Sequence, residues 1–437
     1  MPRPRPEVID KAIRAMKRAA EYEYFFDRLT SPEWIEPLFE AGMFAEPTPP
    51  IPEGQFMRFP FWPQSRYLAR MSPLMPETVL RVILAIPETD NVRVHEDFLD
   101  AALAMPPALA SKIVPKAIRW LESRYQLLLP QKLGDLIGQL ARGGEAGIAL
   151  SLARVLFQPV AEGEVETITV EGETHELSRE PKARFDLHYY EELLKKRVPD
   201  LVAAAGEDAV RLFADLLEEA LRLSYRRSGN EGLEDYSHIW RPAVEDHEQN
   251  RPFTVRHFLV SAVRDSAQYT AMRDANSVGR LVETLEARQR PIFRRIALYL
   301  LRVFPGSVPT VVSARLTSRS EFDDVTVRHE YTLLLGERFA GLSQRDKEVI
   351  LSWVAAGPDV EAFRTGAERW SGVRPTDTEI EQFAMRWRQE RLAPIQQSLP
   401  DDWRARYEGW TRELGEAEHP EFPAYSTSWV GPNESEV

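Results

Sequence analysis

The chain has 437 residues, which is more than one compact core usually holds, so two globular domains or one elongated repeat array are expected. Apolar and charged residues make up 43% and 28% of the sequence, as in an ordinary folded protein. Cys is absent, which excludes disulfide frameworks, thiol catalysis and cysteine zinc sites, and fits a reducing compartment. No apolar run has the length of a membrane span, and the basic start lacks the apolar core of a secretory signal. We therefore expect a cytoplasmic protein without membrane association.

The formal net charge of −13 disfavours indiscriminate binding to nucleic acid. The charge is unevenly placed along the chain. Residues 251–302 hold ten Arg and no Lys against four acids, whereas residues 207–248 hold eleven acids against five Arg. Residues 401–437 are again acidic, with nine acids against three Arg. Alternating blocks of this kind can pair with each other within a fold or bind partners.

The first elements are helical. Residues 7–29 predict an amphipathic helix, and a short helix follows Pro32. Six prolines then occur between Pro47 and Pro63, so regular helix or strand is not expected in this segment. The prolines are interleaved with the aromatic residues Phe44, Phe56, Phe59, Phe61 and Trp62. These aromatics form an aromatic groove or recognition loop, or they pin an extended segment across the first helices. We favour the second interpretation because large apolar side chains tend to be buried.

The next stretch, 65–158, has a regular helical rhythm. Pro and Gly separate helical runs near 65–72, 76–86, 91–105, 107–125, 130–142 and 144–157. Because the loops between them are short, consecutive helices should lie antiparallel and adjacent. Helix pairs at this spacing are typical of HEAT-like or tetratricopeptide-like arrays.

Residues 160–180 interrupt the helical pattern. A β-rich run ends at Glu171-Gly172-Glu173 and resumes from Thr174, which predicts a β-hairpin inserted between helices. Further helices are expected at 184–197, 199–205, 207–227, 236–249, 252–272, 274–288, 343–355, 358–370, 376–398 and 400–414. The predicted domains are an N-terminal helical repeat region (1–159), the hairpin insertion (160–180), a C-terminal helical repeat region (181–414) and an extended acidic tail (415–437). The predicted fold class is all-α, an antiparallel helix-pair solenoid (a HEAT-like superhelix) with one inserted β-hairpin.

Residues 289–339 give the clearest helical packing unit. Ile292, Ile296, Leu300 and Phe304 repeat every four residues and leave the Arg residues 294, 295 and 302 for the other side of the helix. Pro305-Gly306 should end this helix, and Pro309 suits the first turn of the next. From Asp324 a second long run places a set of apolar residues on a face that must be buried: Val327, Tyr331, Leu334, Leu335 and Phe339.

No nucleotide-binding or hydrolase motif occurs in the sequence. The densest group of His and carboxylates lies in 232–258 and comprises Asp235, His238, Glu245, Asp246, His247, Glu248 and His257. Such residues can bind a divalent metal or act as acid and base. Their spacing matches no metal-ligand rule, so we favour helix caps and ion pairs with Arg241, Arg251 and Arg256.

A second candidate group is Asp323, Asp324, Arg328, His329 and Glu330. The two Asp lie where a helix N-terminus favours acids. His329 falls near the apolar face of its helix, which favours a partly buried, hydrogen-bonded histidine over a catalytic one.

The Arg-rich span 251–302 is the strongest physical indication of binding. Arg favours a bidentate grip on carboxylate or phosphate. If these Arg converge on one surface, they could bind a nucleic-acid backbone or a nucleotide-like ligand. The alternative is pairing with the acidic 207–248 block. The predicted ligand- or partner-binding residues are Arg288, Arg290, Arg294, Arg295 and Arg302.

Three segments, RRIALYLLRVFP, VRHEYTLLLGERF and SWVGP, resemble the HEAT-like α-solenoid arrays of large bacterial conflict (anti-phage defence) proteins. The resemblance covers roughly residues 236–432. It implies that this chain is a sensing or scaffolding array and that a partner protein carries the chemistry.

The sequence therefore predicts a non-enzymatic helical-repeat scaffold that binds a protein partner, with no cofactor, no metal and no catalytic residue. Two alternatives stay open at this point. One is nucleic-acid or nucleotide-ligand binding through the Arg-rich 251–302 surface. The other is a metal-dependent or acid/base enzyme centred on 235–257.

Overall fold

The computed structural model describes residues 3–123, 125–161, 167–170, 173–176, 180–224, 235–250 and 254–422. The fold is all-α with an inserted β-hairpin, as the sequence predicts. The chain divides into two compact units, Met1–Leu223 and Ser224–Val437. This division lies inside the predicted 181–414 region, and the predicted repeat-region bounds stay a prediction.

Helices form most of the first unit, Met1–Leu223. Several of them begin with Pro in their first turn, where the missing N–H has no intrahelical partner in any case. The helices are α1 (Pro6–Ala15), α2 (Ala19–Arg28), α3 (Ile35–Glu40), α4 (Pro63–Met71), α5 (Pro76–Ala85), α6 (Val92–Leu103), α7 (Pro107–Ala110), α8 (Val114–Trp120), α9 (Leu129–Arg142), α10 (Ala146–Leu156), α11 (Leu187–Ala205) and α12 (Glu207–Ser224). α9 packs against α6, α10 and α11, which places its apolar face at the centre of the unit.

Two antiparallel hairpins lie between these helices. The predicted hairpin is present as β3 (Thr167–Val170) and β4 (Glu173–Glu176), with Val170 opposite Glu173. A shorter one pairs β1 (Ile51–Glu53) with β2 (Phe56–Arg58) and has Glu53 opposite Phe56. The expectation of no regular strand in the proline-rich segment is therefore wrong. Pro52 is tolerated because it lies in a short, exposed edge strand.

An aromatic cluster fixes the proline-rich segment to the helices of the first unit. Phe44 and Trp62 are buried and meet edge to face at 6.5 Å, and Phe44 also contacts Phe26 of α2. Asn91, which is buried, caps α6 and donates through Nδ2 to the carbonyls of Thr48 and Pro60, each at 2.8 Å. Both ends of the hairpin are thus held by buried contacts.

The second unit, Ser224–Val437, is helical in the part that the structure describes. Its helices are α13 (Ser237–Trp240), α14 (Val255–Arg273), α15 (Val278–Glu286), α16 (Pro291–Val303), α17 (Pro309–Leu316), α18 (Arg319–Asp323), α19 (Arg328–Arg338), α20 (Gln344–Ala356), α21 (Val360–Ser371), α22 (Asp377–Leu392) and α23 (Asp401–Leu414). α16 packs against α14, α15 and α19 and is the central helix of the unit.

The helical packing unit predicted for 289–339 is confirmed. Ile292, Ile296 and Leu300 are buried in α16, which ends at Val303 just before Pro305-Gly306. Pro309 is the first residue of α17. The residues predicted to form the apolar face of the second long run, Val327, Tyr331, Leu334, Leu335 and Phe339, are all buried.

Several predicted helix bounds are wrong; the helix predicted at 107–125, for example, ends at Trp120. The helix predicted at 7–29 is two helices, because the chain is extended at Met16 and Arg18. The break predicted before Pro199 is absent, and α11 runs through this residue. The helix predicted at 236–249 ends at Trp240, since Pro242 interrupts it and the next carbonyls bind side chains: Arg241 donates to Ala243 and Val244.

Candidate functional site

The predicted Arg residues of α16 lie in ion pairs within the second unit. Arg294 donates to Asp324 at 2.6 Å, and Arg302 pairs with Glu245. The pair with Glu245 joins the Arg-rich span to the acidic 207–248 block, as the alternative interpretation predicts. Their positive charges are therefore matched locally by carboxylates, and a role for these residues in ligand binding stays a prediction.

Arg295 is at the centre of the second unit, contrary to the prediction that it lies on the outer side of its helix. Its side chain is fully buried, and its Nε and Nη2 donate to the two carboxylate oxygens of Glu330 at 2.8 Å each. Nη2 also donates to the carbonyl of Pro242, and Glu330 accepts the backbone N–H of Val244. Because 242–244 covers this side of α16, the Arg faces protein and not solvent.

Electrostatics support an ionised pair at this position. Burial alone raises the pKa of Glu330, but the adjacent Arg295 guanidinium outweighs it and holds the pKa below its ordinary value. A buried charge of this kind is stabilised only while its partner remains. The pair therefore links α16, α19 and the 242–244 segment.

The remaining two predicted Arg residues lie at the start of α16. The Arg288 guanidinium lies 5.2 Å from the centre of the Phe293 ring, and Arg290 is buried at the N-cap of the helix. The five predicted residues thus comprise two buried side chains and three in ring or carboxylate contacts.

Among the groups considered as a metal or acid/base centre, Glu245 and His247 both lie near His329, whereas Asp235 and His257 contact neighbouring backbone. Asp235 is buried and accepts the backbone N–H groups of Ser237 and Ile292, both at 2.8 Å. His257 lies 2.7 Å from the Trp240 carbonyl through Nε2 and 2.9 Å from the Thr254 hydroxyl through Nδ1. Among the residues with described positions, no group of three or more His, Asp or Glu is arranged to hold a metal ion. Asp235 accepts N–H groups at the starts of α13 and α16, in keeping with the favoured helix-cap interpretation, and His257 contacts a carbonyl and a hydroxyl.

His329, from the second candidate group, packs against the end of the described chain. Its ring stacks on Phe422 at 4.4 Å, and its Nε2 lies 3.5 Å from a carboxylate oxygen of Glu245. Burial raises the pKa of Glu245, whereas the neighbouring His329 and Arg302 lower this pKa. The net pKa of Glu245 lies below its ordinary value. The predicted burial of His329 is confirmed, but the predicted hydrogen bond is not, because neither ring nitrogen has a hydrogen-bond partner among the described residues. The contact to Phe422 could not be inferred from the sequence.

The first unit contains a groove of about 920 Å³ beside the β1–β2 hairpin. We call it the aromatic groove and define it by its lining residues Lys17, Arg18, Tyr22, Arg58, Phe61 and Arg66, together with Phe59, Trp62 and Gln64. Trp62 and Gln64 are buried, whereas Phe61 is 55% exposed. Both interpretations of the proline-rich segment therefore hold in part: some aromatics pin it, and others line a groove.

Two large aromatic side chains of this segment point to solvent. Phe56 on β2 is 81% exposed, and Phe61 carries the guanidinium groups of Arg66 and Arg93 at 5.0 and 5.3 Å from its ring centre. Cation–π contacts of this length hold the ring without burying it. The sequence identified both residues as part of a recognition loop or of a pinned segment, but it gave no signal that Lys17 and Arg18 would line one groove with Phe61.

Comparisons with protein-family models, with curated proteins and with solved structures find no match to this chain. Within the described ranges, no helix combines the length and the apolar character that crossing a membrane requires. The geometry of the chain's own residues therefore carries the functional argument.

Proposed function

We propose that this protein is a non-enzymatic helical-repeat scaffold that binds a protein partner, with the helices arranged as a HEAT-like solenoid. The observation that carries the proposal is the exposure of Phe56 and Phe61 on a segment that is itself firmly held. Exposed aromatic side chains on a rigidly held backbone segment resemble the anchor residues of protein interfaces, because little side-chain or loop entropy is lost on binding.

The proline-rich segment is held by buried contacts on both sides of the β1–β2 hairpin. Trp62 and Phe44 are buried against each other, and Asn91 holds the carbonyls of Thr48 and Pro60. The exposed rings are therefore positioned by the core of the first unit. A loop that only covered the core would gain more by burying these rings than by presenting them to water.

The polar groups of the second unit support a structural role. Asp235 and Glu330 accept buried backbone N–H groups, and His257 contacts a backbone carbonyl. Groups engaged in this way stabilise local structure, which supports the scaffold over an acid/base enzyme. The resemblance to bacterial defence arrays extends the proposal: the scaffold would act in such a system, and the partner would carry the chemistry.

Affinity capture from the native host tests the proposal. We expect the tagged wild-type chain to retain one protein in stoichiometric amount, and the double variant Phe56→Ser/Phe61→Ser to retain at least about tenfold less, because an anchor aromatic contributes ~2 kcal/mol or more. The readout is quantitative mass spectrometry of the eluates.

The matched control is Tyr24→Ser/Leu74→Ser, which removes two exposed apolar side chains of the same unit, 68% and 60% exposed, outside the aromatic groove. This variant should retain the partner as the wild type does. Absence of any stoichiometric protein from the wild-type eluate would contradict the scaffold function.

A further inference from the structure

We propose that the aromatic groove binds an acidic peptide segment rich in aromatic or proline side chains. This inference rests on the proposed function, since the segment would belong to the protein partner. It names the surface and the chemistry through which the scaffold recognises that partner.

The charge of the groove is opposite to that of the chain. Four basic side chains line it, Lys17, Arg18, Arg58 and Arg66, against the two acids Glu23 and Glu46, in a protein with a net charge of −13. Basic side chains gathered in one concavity attract an acidic segment and repel a basic one.

Two of these basic groups are available for a ligand. Lys17 and Arg18 are exposed, and neither forms an ion pair with any residue that the structure describes. Arg58, by contrast, pairs with Glu53 across the hairpin. Lys17 and Arg18 immediately precede α2, and both line the groove.

The walls of the groove suit the Pro and aromatic side chains of a bound peptide. Tyr22, Phe59 and Phe61 present aromatic surface there, and Arg66 lies over the ring of Phe61. Flat aromatic surfaces pack well against Pro and aromatic side chains, as in the grooves that recognise Pro-rich peptides. An acidic segment carrying such residues would match both the charge and the shape of the groove.

Two acids at the lining favour a peptide over a nucleic acid. Glu23 and Glu46 repel a continuous polyanion such as a phosphate backbone, whereas an acidic peptide also carries uncharged residues that can lie beside them.

Fluorescence anisotropy with the full chain tests this assignment. The probe is a short labelled peptide in which Asp and Glu alternate with Phe, Trp and Pro, and a second probe carries Lys in place of the acids. We expect the acidic probe to bind the wild type and to bind Lys17→Glu/Arg18→Glu about tenfold more weakly, with affinity falling as salt rises.

The matched control is Lys11→Glu/Arg14→Glu, which changes the net charge equally at exposed positions of α1 outside the groove. Its affinity for the acidic probe should equal that of the wild type. Circular dichroism of all variants establishes that each is folded as the wild type is.

Three results would overturn the assignment: equal binding of the acidic and Lys-substituted probes, equal weakening by both charge variants, or tighter binding of a labelled single-stranded oligonucleotide that the Lys17→Glu/Arg18→Glu change removes.

Failure of the scaffold function gives a different result from failure of the groove assignment. If Lys17→Glu/Arg18→Glu captures the host partner as well as wild type does, the groove assignment fails while the scaffold function stands. If the wild-type chain captures no host protein in stoichiometric amount, the scaffold function fails.

Discussion

Replacing Glu330 with Ala is expected to lower the free energy of unfolding of the second unit by about 3–5 kcal/mol, because Arg295 would then be a buried charge without its partner. The same change leaves the buried N–H of Val244 without an acceptor. The two side chains are each 1% exposed, so water cannot replace the lost carboxylate without opening the core. Urea unfolding followed by tryptophan fluorescence measures the loss.

Two variants isolate the cause. Asp323→Ala breaks the exposed pair with Arg319, both 43–45% exposed, and should cost less than about 1 kcal/mol. The double change Arg295→Met/Glu330→Leu removes both charges and should recover much of the stability lost in Glu330→Ala. A loss in Glu330→Ala no larger than in Asp323→Ala would contradict the assigned burial of the pair.

The same pair predicts a pH dependence. The folded-state pKa of Glu330 lies below its ordinary value of 4.5, so the stability it contributes is fully present above that pH. This contribution is lost as the pH falls through the lowered folded-state pKa. Below pH 4.5, wild type should therefore lose stability more steeply than Glu330→Gln, whose side chain does not titrate.

Replacing Asp235 with Ala is the second large expected effect, about 2–4 kcal/mol. Its carboxylate accepts the N–H of Ser237 and, 57 residues along the chain, the N–H of Ile292 in the first turn of α16. Both donors are buried, and each unpaired buried donor costs about 1–3 kcal/mol. Urea unfolding of the variant measures the total loss in the free energy of unfolding from both unpaired donors.

An exposed helix cap supplies the comparison for Asp235. Asp359 caps α21 by accepting the N–H of Ala362 at 2.9 Å, and its replacement with Ala should cost about 1 kcal/mol. Asp235→Asn keeps one acceptor and should fall between the two. Equal losses for Asp235→Ala and Asp359→Ala would show that Asp235 acts only as a local cap.

Local patterns in the sequence account for most of the helices. The repeat of Ile292, Ile296 and Leu300 and the Pro and Gly around them predicted α16 and the start of α17, because these signals act within a few residues. The helix predicted at 236–249 ends early for two reasons. Pro242 is a local signal that the prediction did not use, and the carbonyls that follow bind distant side chains, since Arg264 reaches the carbonyl of Val244. No local pattern indicates such a contact.

The candidate sites were less predictable for the same reason. Arg295 and Glu330 are 35 residues apart, and helical periodicity alone placed Arg295 on the outer face of α16. Within the proline-rich segment, Phe61 and Trp62 are adjacent and similar in character, yet one is exposed and the other buried. In extended chain, neighbouring side chains point to opposite sides, and only the tertiary fold decides which side faces the core.

Site-specific photo-crosslinking tests most directly whether the fixed aromatic segment contacts a protein partner. Phe56, the most exposed of its aromatics at 81%, is replaced by benzoylphenylalanine, and Tyr24, 68% exposed, is replaced in a parallel chain. After irradiation in the native host, the chain substituted at Phe56 should form a covalent adduct with one protein, and the chain substituted at Tyr24 should not. Adducts of equal yield and identity at both positions, or none at Phe56, would contradict the proposal that this surface binds the partner.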